Sequence, residues 1–188
     1  RRQRQMCIRD SRAAIITGMN SIDMFILENA AKAIFSAIKA GKTIYTAGNG
    51  ASAAIAQHWA CDYTKGCSNL ETGFKPKVIS LSANIPLMTA ISNDISYDEV
   101  YAYQLERLAN PGDVFISISS SGNSPSVVRA CEAALENDMV VIALTGFNGG
   151  GTRELAHYPI HVDVHEYEAV EDVHQAIMHM IAKWLRAK

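Results

Sequence analysis

Two Ser/Gly-rich loops, each set between an apolar strand-like run and a helix-like run, constrain the fold of this chain more than any other feature. The first, Gly48-Asn49-Gly50-Ala51-Ser52, follows Thr43-Ile44-Tyr45-Thr46-Ala47. The second, Ser119-Ser120-Ser121-Gly122-Asn123-Ser124, follows Val114-Phe115-Ile116-Ser117-Ile118 about seventy residues later. Short Val/Ile-rich strands that feed helices belong to a parallel sheet covered on both faces. The loops then lie beyond the carboxyl ends of the strands, where such sheets bind ligands. Glycine lets the backbone approach a ligand, the N–H groups of the next helical turn point outward, and the helix dipole favours an anion. One loop of this kind is more often only a helix cap. Two of them point to a binding site for a phosphorylated small molecule.

The rest of the chain continues the alternation. Ala13 to Ala40 reads as helix in two pieces, broken near Gly18-Met19-Asn20-Ser21, with Gly41 as C-cap. A helix from Ala51 to Thr64 follows the first loop, and Lys65 to Lys75 reads as an exposed loop. Next come strand Val78–Ser82, helices Pro86–Ser92 and Asp98–Leu108, and strand Val114–Ile118. Helix Ser124–Glu136, strands Val140–Leu144 and Pro159–Val164, and a last helix Ala169–Arg186 complete the order. The expectation is an α/β fold: a doubly wound, parallel-sheet three-layer sandwich with flanking N- and C-terminal helices. Residues 13–188 form one domain and residues 1–12, with Arg1, Arg2 and Arg4, a tail foreign to it.

Composition narrows the class. The 188 residues are 48% hydrophobic and 19% charged, which fits a globular chain rather than a disordered one. A net charge of −2 gives no field to attract nucleic acid or an acidic membrane, so neither is expected as a partner. No apolar stretch approaches the ~20 residues of a membrane span. Cys7, Cys61, Cys67 and Cys131 form no CxxC pair, and without an export signal they are expected as reduced thiols in the cytoplasm.

The pairing GNGxS … SxSGNS, with Leu144-Thr145-Gly146 after the next strand, resembles the SIS (sugar isomerase) domain family. Ala56-Gln57-His58, Ile91-Ser92-Asn93-Asp94, Gly112-Asp113-Val114, Asp172-Val173-His174 and His179 are similar to its phosphoheptose isomerase branch, from about residue 13 to 186. The resemblance implies an isomerase acting on sedoheptulose 7-phosphate to give a glycero-manno-heptose 7-phosphate. It implies a homotetramer with sites between subunits, and bound zinc or another divalent metal. It places Asn49 and Ser52 on the sugar or its phosphate, and Ser119, Ser121 and Ser124 on the phosphate. Ser120 and Asn123 would shape that loop, and Asp94 would contact sugar hydroxyls. Metal and acid/base positions fall on His58, Asp62, Glu171 and His179, with Asp62 and His179 as the proton-moving pair and Glu171 also beside the substrate. This chain departs from the pattern in carrying Asp62 for a glutamate, Glu171 for a glutamine and Gly66 for an arginine, and GNGAS for GNGGS.

The residues allow that chemistry on their own terms. Moving a proton between C1 and C2 of a sugar needs a base at carbon, an acid/base at oxygen and positive charge near the developing oxyanion. His58 and Asp62, four apart, share a helix face, and so nearly do Glu171 and His179 with Gln175 between them. Two imidazoles and two carboxylates suit Zn²⁺. His174, one turn after Glu171, is a candidate to orient it. His157, His161 and His165 read as structural or exposed, Cys61 as a buried hydrophobe, and Phe147-Asn148-Gly149-Gly150-Gly151 as a mobile turn. Two alternatives stay open: an isomerase of another ketose phosphate, and a non-catalytic phosphosugar-sensing or replication-initiation adaptor of the same fold. A nucleotide-binding regulatory domain is weak, because neither GxGxxG nor a Walker motif is present.

Overall fold

Alternate residues of the buried strands feed two separate cores, and that division makes the three layers. In the computed structural model, residues 2–69 and 71–188 are described, with side chains from Cys7 onward; Arg1 of the expected tail and Leu70 of the expected loop lie outside them. The strands are β1 (Thr43–Ala47), β2 (Lys77–Ser80), β3 (Val114–Ser119), β4 (Val140–Thr145) and β5 (Tyr158–His161). They form one sheet in the order β2-β1-β3-β4-β5, and every neighbouring pair is parallel. Ile44, Ile116, Ile118, Ile142 and Leu144 face one core, with helices α2 (Met24–Lys39), α3 (Ala51–Cys61) and α8 (Tyr167–Arg186). Tyr45, Ala47, Phe115 and Val141 face the other, with α4 (Ile85–Asp94), α5 (Ala102–Leu108) and α6 (Pro125–Glu136). All six residues of the central strand β3 are buried, so Ile116→Ala there would cost about 2–5 kcal/mol.

Several local expectations change. Helix α1 runs unbroken from Arg2 to Ser21, across the boundary expected near residue 12. The break to α2 falls at Ile22-Asp23, where Asp23 caps α2 by accepting from the N–H groups of Phe25 and Ile26. Gly18 stays inside α1, where a Cβ would lie 3.0–3.3 Å from Val162, Val173 and Val164, so its role is close helix packing. The helix expected through Thr64 turns π-helical over Asp62–Gly66. The helix expected over Asp98–Leu108 splits into a 3₁₀ turn, Tyr97–Glu99, and α5. β5 ends at His161, three residues short of the expected end. A short helix, α7 (Gly150–Leu155), was not expected.

Candidate functional site

Neighbouring strands β1 and β3 send their following helices to opposite faces: α3 packs in the first core and α6 in the second. The two loops therefore diverge and leave a crevice at the carboxyl end of the sheet, where open α/β folds bind ligands. In the first loop Gly48 admits no side chain, since a Cβ would meet Ser52 Cβ at 2.6 Å and the Ile118 carbonyl at 2.7 Å. Gly50, at φ +56°, turns the chain into α3 with open space where a side chain would be. The first N–H groups of α3 have no partner within the helix and face the crevice with the positive end of its dipole. Ser52 sits in that first turn, nearly buried.

The second loop is braced from behind. Ser119 Oγ accepts the Gly122 N–H at 3.2 Å, and Ser121 Oγ accepts the Asn123 N–H at 3.2 Å. The Ser120 carbonyl accepts the Gly146 N–H at 2.8 Å, while its hydroxyl is buried without a partner. Asn123 Oδ1 accepts the Gly151 N–H, and the Gly122 carbonyl accepts that of Thr152. A Cβ on Gly122, at φ +68°, would lie 1.8 Å from the Gly149 carbonyl oxygen. The segment expected as a mobile turn is thus a brace for this loop, with α7 docked behind it. Ser121 and Ser124 keep partial exposure, whereas Ser119 and Ser120 are buried.

Asn49 ties the two loops together. Its side-chain amide lies 3.0 Å from Ser126 Oγ in the first turn of α6, and 2.8 Å and 2.9 Å from the hydroxyls of Tyr97 and Tyr101. Tyr101 also donates to the Gly48 carbonyl at 2.6 Å, and Ser82 Oγ donates to the same carbonyl at 3.0 Å. Burial, above all, pushes the Tyr101 phenol up to about 12, so it keeps its proton. Sequence reasoning missed Tyr97, Tyr101, Ser82 and Ser126. The one available signal was the i, i+4 spacing of the two tyrosines, which fits ordinary core packing equally well.

A second group of side chains stands farther down α3. His58 Nε2 lies 3.2 Å from Asp62 Oδ1, and His179 Nε2, on α8, lies 3.6 Å from Asp62 Oδ2. Among the described residues these three could hold a metal ion, offering ligand atoms within 4.8 Å of one another. Gln175 Nε2 is 2.9 Å from His58 Nδ1 and fixes that ring with Nε2 toward Asp62. Two imidazoles and a carboxylate with space for a further ligand match a catalytic zinc site in donor type and number. Helix rise puts His58 about 10 Å along α3 from its N-terminus at the crevice.

Glu171, expected as the fourth ligand, does not join that group. It lies one turn before Gln175 on α8, on the crevice side of the cluster, because α8 runs parallel to α3: Gln175 meets His58 and Tyr63 meets Met178. Burial first, and then Glu168 and Asp172, push its carboxyl above the usual range. Asp94 is exposed at the end of α4 and accepts from Asn93 Nδ2 at 2.8 Å. His174, expected to orient Glu171, is wholly buried near Thr145 and His161, and neither ring nitrogen has a well-aligned partner. His157 Nδ1 accepts the Val141 N–H and His161 pairs with the Thr145 hydroxyl, both structural contacts. Cys61 is exposed, against the expectation of burial, and all four cysteines are free. No helix among the described residues is long and apolar enough to cross a membrane.

The comparisons with known proteins agree with this architecture. The sequence model of the SIS domain family matches residues 10–146. A phosphoheptose isomerase of Bordetella avium (strain 197N) is 38% identical over 165 residues, covering 86% of this chain and 82% of that protein. The structure of phosphoheptose isomerase GmhA from Neisseria gonorrhoeae superposes with a TM-score of 0.88 at 29% identity, covering 100% of this chain and 98% of that one. A phosphoheptose isomerase from Francisella tularensis gives a TM-score of 0.87 at 28% identity, covering 99% and 97%. With its paired anion loops and their sheet order in place, the chain belongs to the SIS domain family, in its phosphoheptose isomerase branch.

Proposed function

We propose that the protein is a metal-assisted aldose–ketose isomerase of a phosphorylated sugar, with sedoheptulose 7-phosphate as the leading substrate. The observation that carries this reading is one helix, α3, with an anion crevice at its N-terminus and the His58/Asp62/His179 group two turns further along. The N–H groups of the first turns of α3 and α6, with Ser52, Ser119, Ser121 and Ser124, hold the phosphate, while Ser120 and Asn123 shape the second loop. Asp94 and Glu171 face sugar hydroxyls. The Asp62 carboxylate takes the proton from the carbon beside the carbonyl and returns it to the neighbouring carbon. His179 moves the matching proton between the two oxygens, so the isomer forms with no net gain or loss of protons. A divalent ion, zinc by donor type, held by His58, Asp62 and His179 would supply positive charge beside the enediolate oxygens. For that role the Gln175 amide turns over, so that its Oε1 accepts the His58 Nδ1 proton across the 2.9 Å contact and Nε2 of His58 is free.

Assembly and location follow the same reading. Ile8, Ile16, Met24 and Phe25, exposed by 48–75% on α1 and α2, suit a homo-oligomeric interface, for which a tetramer is proposed. Four unpaired thiols suit the cytoplasm. Light scattering that gives a stable monomer at micromolar concentration would exclude the tetramer. The reaction is tested by assaying isomerisation over five-, six- and seven-carbon ketose phosphates, with and without chelator. Turnover of the seven-carbon ester, lost to chelator and restored by Zn²⁺, is expected. Binding of the esters without turnover of any would leave the adaptor reading in its place.

A further inference from the structure

Counting protons around Asn49 changes what Tyr97 does. Tyr101 is fully buried, with its oxygen 2.6 Å from the Gly48 carbonyl oxygen. Two oxygens that close need a proton between them, and the carbonyl has none, so the single hydrogen of Tyr101 is committed there. Ser82 does not alter this, since its hydroxyl lies 3.0 Å from the Gly48 oxygen and 3.4 Å from that of Tyr101. Either direction leaves Asn49 without a proton from it. What Tyr101 presents to Asn49, 2.9 Å away, is a lone pair. With Oδ1 facing the tyrosines, that contact sets two acceptors against each other.

The two ends of an amide are told apart by their hydrogen-bond network. Turning the Asn49 amide over satisfies every group. Oδ1 then accepts from the Ser126 hydroxyl at the 3.0 Å contact, and Nδ2 gives one hydrogen to Tyr101 and the other to Tyr97. Tyr97 now accepts, so its own hydrogen is uncommitted. Its side chain is 48% exposed and lines a cavity of roughly 530 Å³ with Ser82, Thr89, Ser92 and Asn93. Beside its hydroxyl stands the Tyr101 oxygen, which already accepts from Nδ2 of Asn49.

We infer that Tyr97 is a substrate-binding residue, whose phenol donates a hydrogen bond to an oxygen of the ligand at the first loop, and that Asn49 is the positioning residue that aims it. This rests on the phosphosugar reading of the crevice for the ligand, and on the proton count alone for the direction of the hydrogen. Neutron diffraction from the ligand-free protein should show Nδ2 of Asn49 between the two tyrosine oxygens and the Tyr97 deuterium pointing away from Asn49. A Tyr97 deuterium on the line to Asn49 or to the Tyr101 oxygen overturns the inference whatever the protein binds.

The functional arm uses Tyr97→Phe, a change at a half-exposed site. KM for the ketose phosphate should rise about three- to tenfold, the range of one hydrogen bond, with the effect in KM rather than kcat. Calorimetric titration with inorganic phosphate and with the ketose phosphate locates the acceptor. Weakening of both places it on the phosphate, and weakening of the sugar ester alone places it on the sugar. Unchanged affinity for both overturns the assignment. If the unsubstituted protein binds neither, the proposed function and the ligand assignment fall together, while the diffraction result still decides the direction of the hydrogen.

Discussion

The crevice is lined by backbone N–H groups and short hydroxyls, fixed where Gly48 and Gly122 leave no room for a side chain. The His58/Asp62/His179 group consists of three longer side chains on two helices, with 29–51% of each exposed. The crevice is shaped by the fold before any ligand arrives. The cluster is shaped by side-chain identity, and a change at these partly exposed side chains should leave the fold intact. The proposed function divides the labour along the same line, with the anion assigned to the crevice and proton movement to the cluster.

Asp62→Asn and His179→Ala test that division most sharply. Each should lower isomerase turnover about 10²–10⁴-fold, the usual loss of a positioned acid or base, with phosphate affinity nearly intact. Phosphate binding lost in parallel would merge the two regions into one unit. Turnover near the original in Asp62→Asn would move the base to Glu171. Gly122→Ala is the converse experiment. A Cβ at φ +68°, 1.8 Å from the Gly149 oxygen, forces the second loop off its brace. Urea titration should show a loss of about 2–4 kcal/mol, with phosphate affinity falling and metal uptake at the cluster retained.

A third measurement concerns the buried side of α8. Burial, above all, holds the His174 imidazole down at about 4, against about 6.5 when unfolded. Between those values the unfolded chain binds a proton that the folded one refuses, so stability falls as pH drops from 6.5 toward 4. The loss over that window is at most about 3 kcal/mol. His174→Leu should flatten this limb of the stability curve, and an unchanged slope from pH 6.5 to 4 would show that His174 is not its source. Smaller again is the ligand effect. Phosphate at about 100 times its dissociation constant should add about 2.7 kcal/mol to stability, while the unphosphorylated sugar adds none. Ser121→Ala should reduce that gain with little change in fold, and equal stabilisation by phosphate and by the unphosphorylated sugar would remove the crevice as an anion site.

The legibility of the two regions differs for the same physical reason. Backbone-built features carry strong local signals: Val114–Ile118 followed by Ser/Gly residues announces a buried strand and a turn, and both loops fall where read. His58 and Asp62 were also legible, because four residues on one helix fix their relation. That Glu171 stands outside the converging group was not legible, because the sequence gives spacing along α8 but not the register of α8 against α3. Tyr97 and Tyr101 were invisible as site residues, since the break between the 3₁₀ turn and α5 that aims both at Asn49 leaves no mark in composition. Gly149 and Gly150 read as a mobile turn, and only the packing of Gly122 against them shows a brace.

Glu171→Gln makes the smallest change and bears on where the two regions meet. Glu171 stands one turn before Gln175 on the crevice side of the cluster, outside the group whose ligand atoms converge. If the ion is held by His58, Asp62 and His179 alone, Glu171→Gln leaves zinc affinity, read by competition with a chromogenic chelator, within about threefold, since only the surroundings of the site change. Stability should move in a defined direction. Burial raises the Glu171 carboxyl, so its contribution is present in acid and is lost as pH rises through its folded-state value. Glutamine has no proton to lose, so the variant should be the more stable one at neutral pH, and the difference should shrink as the buffer is made acidic. A tenfold or larger fall in zinc affinity would instead make Glu171 a ligand that swings down α8 to the ion, and the crevice and the cluster would then share a residue.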